Sequence, residues 1–192
     1  MVKIPKSVLK DLERKSQKTL KNDYKKTFKK NFDKVKEEMI QEFLSDPVTV
    51  EILSGPSGAN ISGTLNGVAN LFAFIGFNSS DKPIDPILDL LNTITYKDSG
   101  ESDKGRKFNV IMPTPQDVFS ITPMPWATGR SWAKGIETGI SGLGYLLNKS
   151  SGSSRSGVAI QAESKVRGAR FNNRPYISAL LKKYKKKFKD LS

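Results

Sequence analysis

A single apolar stripe near the amino terminus constrains the fold of this chain more than any other feature. Apolar side chains recur there in steps of three or four residues, the spacing of one helix face; they are Leu20, Tyr24, Phe28, Phe32, Val35, Met39 and Phe43. The pattern predicts one helix from about Ser7 to Leu44. Asp46-Pro47 should end it, because the residue before proline is pushed out of the α region. Such a helix is roughly 50 to 55 Å long, so we expect part of it to project or to meet a neighbour. The alternative is a solvated helix whose charges only keep it soluble.

The charge of the chain divides it into three segments. Lys and Arg number 32 against 19 Asp and Glu, for a net charge of +13. Residues 1–43 hold 13 basic and 7 acidic side chains, residues 44–164 hold 9 and 11, and residues 165–192 hold 10 and 1. We therefore predict a charged amphipathic helix over 1–46, a nearly neutral α+β core over 47–164 and a basic helix within 165–192. The basic ends indicate an acidic or nucleic-acid partner.

The composition argues against catalysis. The chain has no His and no Cys, which removes the usual general base, the common nucleophilic dyads and most zinc sites. The segment GRSWA resembles a GxSxG nucleophile elbow, but Ala133 stands where the last glycine is needed. Nothing in the sequence connects the remaining acidic candidates, which are Asp85, Asp89, Asp117 and Glu137. We predict no enzyme activity, no catalytic residues, no cofactor and no metal.

No feature of the sequence indicates a membrane. No apolar run approaches the roughly 18 residues of a membrane-spanning helix, and the amino terminus lacks the apolar region of a signal peptide. We expect synthesis in the cytoplasm and no membrane partner.

The middle of the chain predicts short elements separated by turns. The β-branched run at 48–53 predicts a strand, and the glycine-rich stretch 54–67 predicts a loop without the spacing of a phosphate-binding motif. Residues 70–77 are either a buried strand or the close of a short helix, and residues 83–94 predict a helix. The polar segment 97–107 reads as a linker, residues 108–113 and 117–125 as a proline-bounded hairpin arm, residues 148–157 as a flexible loop and residues 157–161 as a short strand.

Two sets of side chains are candidates for contact with partners. The candidate interface residues are Trp126, Arg130, Trp132, Phe119 and Ile121; each tryptophan is either an interface anchor or a core residue. The closing helix, from Pro175, places Tyr176, Ala179, Leu180, Tyr184 and Phe188 on one side. The candidate contacts for DNA or an acidic partner are Arg174, just before this helix, and the lysines on it: Lys182, Lys183, Lys185, Lys186, Lys187 and Lys189. A solubilising tail is the alternative.

The order of these elements resembles the tail-completion and neck proteins of tailed bacteriophages. The resemblance rests on the segments SGTLNGVANLFAFIGF, GRSWAKGIETGISGLGYLL and RFNNRPYISALLKKYKKKF. The matching positions are Trp132, Gly135, Glu137, Gly139, Arg174, Pro175 and Tyr176. The resemblance implies a structural virion protein that forms a ring, commonly of six subunits, where the DNA-filled head meets the tail. Its implied partners are copies of itself, neighbouring connector and tail proteins, and DNA in the channel.

Together these observations predict an α+β fold with a long amino-terminal helix, a small and mostly antiparallel sheet with an extended hairpin arm, and a basic carboxyl-terminal helix. The leading expectation for function is a phage neck or tail-completion subunit, located in the virion and, during assembly, in the host cytoplasm. A basic nucleic-acid-binding protein of histone-like type is the alternative, although no recognised binding motif appears.

Overall fold

The computed structural model describes residues 6–66, 70–102, 105–125, 127–140 and 171–191. Helix α1 spans Lys6–Ser45 and confirms the predicted long helix. Its apolar stripe is buried only in its second half, where Phe28, Phe32, Met39 and Phe43 enter the core. Leu20 and Tyr24 lie on the same stripe but are 54% and 56% exposed. The amino-terminal half of α1 therefore extends beyond the core.

The strand predicted at 48–53 is wrong, because this segment is helix α2, Pro47–Leu53. The Asp46 carboxylate accepts a hydrogen bond from Val48 N at 2.8 Å, and Pro47 occupies the first helical turn. This pair both ends α1 and starts α2. The weak helix propensity of the β-branched residues is overridden by packing, since Val48 and Ile52 are buried one turn apart.

Two helices follow the glycine-rich loop. Helix α3 spans Leu71–Ile75, which confirms the helical alternative for residues 70–77. Asn70 caps it by accepting a hydrogen bond from Ala73 N at 2.8 Å, and Gly76 ends it with a left-handed φ of 85°. Helix α4 spans Asp85–Asn92, as predicted, and buries Ile87 and Leu91.

The hairpin lies one segment earlier than predicted. Strand β1, Thr95–Ser102, pairs antiparallel with β2, Gly105–Ile111, so the described residues of the predicted linker at 97–107 belong to the hairpin. Across the strands, Arg106 forms an ion pair with Asp98 at 2.5 Å, and Lys25 of α1 reaches the same carboxylate at 3.0 Å. The Arg106 hydrogen bond holds the pKa of Asp98 well below its usual range. These pairings make a charged sequence fit a strand.

The hairpin arm predicted over 108–125 is therefore wrong in its second half. Thr114 and Asp117 form a capping box that starts helix α5, Pro115–Ser120, where a strand was expected. A second small antiparallel sheet follows, made of β3, Pro123–Met124, and β4, Ala127–Ser131. Within the described residues the sheets are two separate hairpins.

The last two helices complete the core. Helix α6 spans Trp132–Thr138 and ends at Gly139. Helix α7 spans Ile177–Lys189 and confirms the predicted closing helix. The inward side of α7 buries Ile177, Leu181, Tyr184 and Phe188 against the rest of the core. Helices, two small antiparallel sheets and basic helices near both ends confirm the predicted α+β class. Trp126, the predicted loop at 148–157 and the predicted strand at 157–161 lie outside the described residues.

Candidate functional site

The segment before α7 holds the glycine-rich loop in place. Asn172 N donates to Thr64 O at 2.9 Å, and the Asn172 side chain donates to Asn66 Oδ1 at 2.6 Å. The Arg174 guanidinium donates to the carbonyl oxygen of Ser62. This use of Arg174 is structural, although the sequence made it a candidate for DNA contact.

The residues that carried the family resemblance come together in space. Ser178 N donates to Glu137 Oε1 at 2.7 Å, so the end of α6 caps the start of α7. The rings of Trp132 and Tyr176 lie 6.3 Å apart between centroids. At Gly139, where φ is 102°, a Cβ atom would stand 3.1 Å from Asn173 Oδ1, so glycine allows this close approach. The two segments form one packed unit that joins α6 to α7.

A buried carboxylate, which the sequence analysis did not single out, organises the loop from the other side. Glu51 on α2 has no exposed surface. Its Oε1 accepts from Asn60 Nδ2 at 2.8 Å and from Leu71 N at 2.7 Å, while Oε2 accepts from Ile61 N at 3.1 Å and Ser62 N at 2.8 Å. The only sequence signal was an acidic residue inside an apolar run. Glu51 therefore holds the loop through its backbone N–H groups.

Polar contacts at the base of α7 are also buried. The Tyr176 hydroxyl lies 2.8 Å from Thr49 Oγ1, and burial raises the pKa of Tyr176 above its ordinary range. Burial likewise raises the pKa of Asp46, in spite of the hydrogen bond from Val48 N. Both groups belong to the packing of α2 against the start of α7.

Two of the candidate lysines on α7 form ion pairs with glutamates of α1. Lys183 Nζ lies 2.6 Å from Glu42 Oε2, and Lys187 Nζ lies 3.1 Å from Glu38 Oε2. The Tyr184 hydroxyl also donates to Glu42, at 2.8 Å. The Lys183 hydrogen bond lowers the pKa of the Glu42 carboxyl. This side of α7 is therefore an intramolecular contact.

The other side of α7 borders a groove of about 780 Å³ against β2 and the segment that follows it. Lys182, Lys185 and Lys189 line it from α7, and Lys107 lines it from β2. No acidic side chain is among the lining residues. Lys186, the one candidate lysine of α7 not yet placed, is exposed and does not line the groove. The groove therefore combines cationic side chains of α7 and β2 with apolar side chains such as Val110 and Met112.

The candidate interface residues do not form one patch. Trp132 is 1% exposed and is one of the largest buried side chains, so it is a core residue and offers a partner no surface in the folded chain. Phe119 is half-buried and packs against the core. Ile121, at the end of α5, is also half-buried, and Arg130 is exposed on β4. Trp126 lies outside the described residues.

Two of the four acidic candidates, Asp117 and Glu137, already have local roles. Asp85 and Asp89 are exposed on α4, Asp117 belongs to the α5 capping box and Glu137 caps α7. In the described ranges, no three acidic side chains are grouped as a metal ion would require.

None of the known protein families, curated proteins or solved structures with which the chain was compared matches it. Among the described residues, no helix is both long and apolar enough to cross a membrane.

Proposed function

We propose that this chain is a structural virion protein of a tailed bacteriophage, a neck or tail-completion subunit that assembles into a ring at the head–tail junction. The observation that carries the proposal is the projecting half of α1. There, Leu20 and Tyr24 continue the stripe of Phe28 and Phe32 but have no core to cover them. A long helix with an uncovered apolar edge suits a subunit that meets a neighbour.

The resemblance to the phage family gives this assembly its proposed setting. Its matching positions serve the folding of one subunit, because Glu137, Trp132 and Tyr176 join α6 to α7. The ring contacts would then be made elsewhere, by α1 and by the neutral middle of the chain. Apolar contacts of this kind depend little on ionic strength, so the ring should survive moderate salt.

The oligomeric state of the purified chain tests the proposal. We expect sedimentation velocity and mass photometry to find a closed oligomer, with the head or tail partner added if the chain alone stays monomeric. The double variant L20A/Y24A should abolish it. The matched control K18A/N22A changes two exposed residues on the opposite helix face and should assemble normally. A chain that stays monomeric in both settings, or a control that loses assembly equally, would refute the proposal.

A basic nucleic-acid-binding protein is the second candidate, favoured by the exposed lysines of α1 and α7. Among them Lys18, Lys21, Lys26 and Lys30 make no ion pair among the described residues. Each neutralised phosphate contributes about −0.9 to the slope of log affinity against log salt. Six contacts would therefore weaken DNA binding roughly a thousandfold between about 50 and 200 mM salt. A steep slope from a monomeric chain would favour this candidate over the ring subunit.

A further inference from the structure

The groove between β2 and α7 follows the edge of a strand. Four consecutive residues of β2, Lys107 to Val110, line it. Because side chains alternate between the faces of a strand, consecutive residues border a groove only when it runs along the edge. On the other wall, residues of α7 recur at Ser178, Leu181, Lys185 and Phe188, which is one helix face.

The described strands leave this edge of β2 open. Within the residues that the structure describes, β2 pairs with β1 on one side and with no strand on the other. An open edge presents alternate backbone N–H and C=O groups that can bind an extended chain. The facing stretch of α7, residues 178–189, is about 16 Å long, and about five residues of an extended chain cover the same length.

The walls of the groove select the chemistry of the occupant. Lysines of α7 and β2 border it, no acidic side chain is among its lining residues, and Val110 and Met112 add half-buried apolar surface. An extended segment with alternating acidic and apolar side chains would meet both features. Single-stranded DNA would meet only the lysines, because Phe108 and Phe188 are buried and do not present their rings for base stacking.

A segment of this chain is a poor occupant. Residues 141–170, which lie outside the described ranges, carry five basic side chains and one acidic side chain. Their net charge has the same sign as that of the groove, and the strand predicted at 157–161 has no acidic side chain that could meet the lysines. The occupant should therefore come from another protein.

We infer that the groove between β2 and α7 is a docking site for an extended acidic segment of a partner protein, which adds as a third strand to the open edge of β2. The inference holds whether or not the chain forms a ring.

The probe is a fluorescent seven-residue peptide in which Glu and Val alternate, measured by anisotropy against the full chain. Two further peptides carry backbone N-methyl groups, one on the Glu residues and the other on the Val residues. In an added strand, only alternate N–H groups point to β2. We therefore expect one methylated peptide to lose binding and the other to keep it, with shifted amide resonances at residues 107–111.

Charge reversal in the groove provides a second test of the docking site. The double variant K182E/K185E should weaken binding of the peptide about tenfold or more, since two exposed charge contacts are lost and reversed. The variant K26E/K30E makes the same change in net charge on α1. It should weaken binding less than about threefold, because salt screens charges that do not contact the peptide. Both pairs are exposed, and circular dichroism checks that both variants fold.

Several results would overturn the inference. They are equal binding of both methylated peptides, an equal loss in K26E/K30E, or no binding of the unmodified peptide. Binding of oligodeoxythymidine with the same dependence on Lys182 and Lys185, in place of the peptide, would show a nucleic-acid groove.

Discussion

At the scale of single residues, Glu51 shows how one buried charge can order a loop. Each carboxylate oxygen accepts two hydrogen bonds, and three of the four donors are backbone N–H groups. These groups would otherwise be unsatisfied beneath the glycine-rich segment. The loop conformation thus depends on a side chain of the preceding helix.

The substitution E51Q should destabilise the fold by about 3 kcal/mol. Whichever way the amide turns, its NH₂ group faces two donors, and a buried charged hydrogen-bond network is lost. Urea denaturation measures the effect. The matched change E37Q, at an exposed position of α1, should stay within about 0.5 kcal/mol. A loss below about 1 kcal/mol in E51Q would contradict this role.

Gly135 in α6 gives a prediction whose sign opposes helix propensity. Alanine would improve propensity by up to about 1 kcal/mol, but its Cβ would stand 2.7 Å from Ile140 Cγ1 in the core. We expect G135A to destabilise by about 1 to 3 kcal/mol through overpacking. In a double-mutant cycle with I140A, the second change should remove most of that cost. Additive effects would show that Ile140 is not the obstacle.

At the scale of elements, the contact between α1 and α7 couples stability to acid. The folded pKa of Glu42 is lowered, chiefly by Lys183. A carboxyl with a lowered pKa stabilises the fold above its unfolded pKa, and that stabilisation is lost as the pH falls through the folded value. Since Glu42 is partly exposed, the contribution should be about 0.5 to 1 kcal/mol.

The variant E42Q should therefore be less stable than the unmodified chain at pH 7. The two should be equally stable at a pH low enough to protonate Glu42 in both the folded and the unfolded chain. Urea denaturation between pH 7 and pH 3 measures the difference, which should shrink below the ordinary pKa of 4.5. The control E37Q should leave the pH profile unchanged. A difference that persists or grows in acid would mean that Glu42 acts by packing and not by charge.

At the scale of the whole molecule, the two basic ends are not equivalent. The described side chains from Lys10 to Thr27 are all exposed, whereas α7 buries Tyr184 and Phe188 at 1% and 2% exposure. Removal of residues 1–22 should leave the unfolding free energy of the core nearly unchanged.

Removal of residues 182–192 should instead abolish most of the cooperative unfolding transition, since loss of a single buried aromatic side chain costs about 3 to 5 kcal/mol. Thermal denaturation followed by circular dichroism compares the two truncations. If they lose stability equally, the core does not depend on α7 in this way.

The sequence by itself determined the elements whose signals are local. Helix α1 followed from its apolar period, its end from Asp46-Pro47, and α4 and α7 from amphipathic patterns beside proline. These signals suffice because helix hydrogen bonds join residues four apart. The three-way division of charge and the absence of His and Cys were equally visible without a structure.

Tertiary structure alone decided the features that depend on distant contacts. Residues 48–53 are helical because their buried face packs, in spite of β-branched propensity. The described residues of 97–107 belong to strands β1 and β2, where Arg106 of β2 and Lys25 of α1 pair with Asp98. The lysines of α7 looked alike in sequence, yet Lys183 and Lys187 face glutamates of α1 while Lys182 and Lys185 face the groove. A helix pattern indicates which residues share a face, but only packing determines what that face meets.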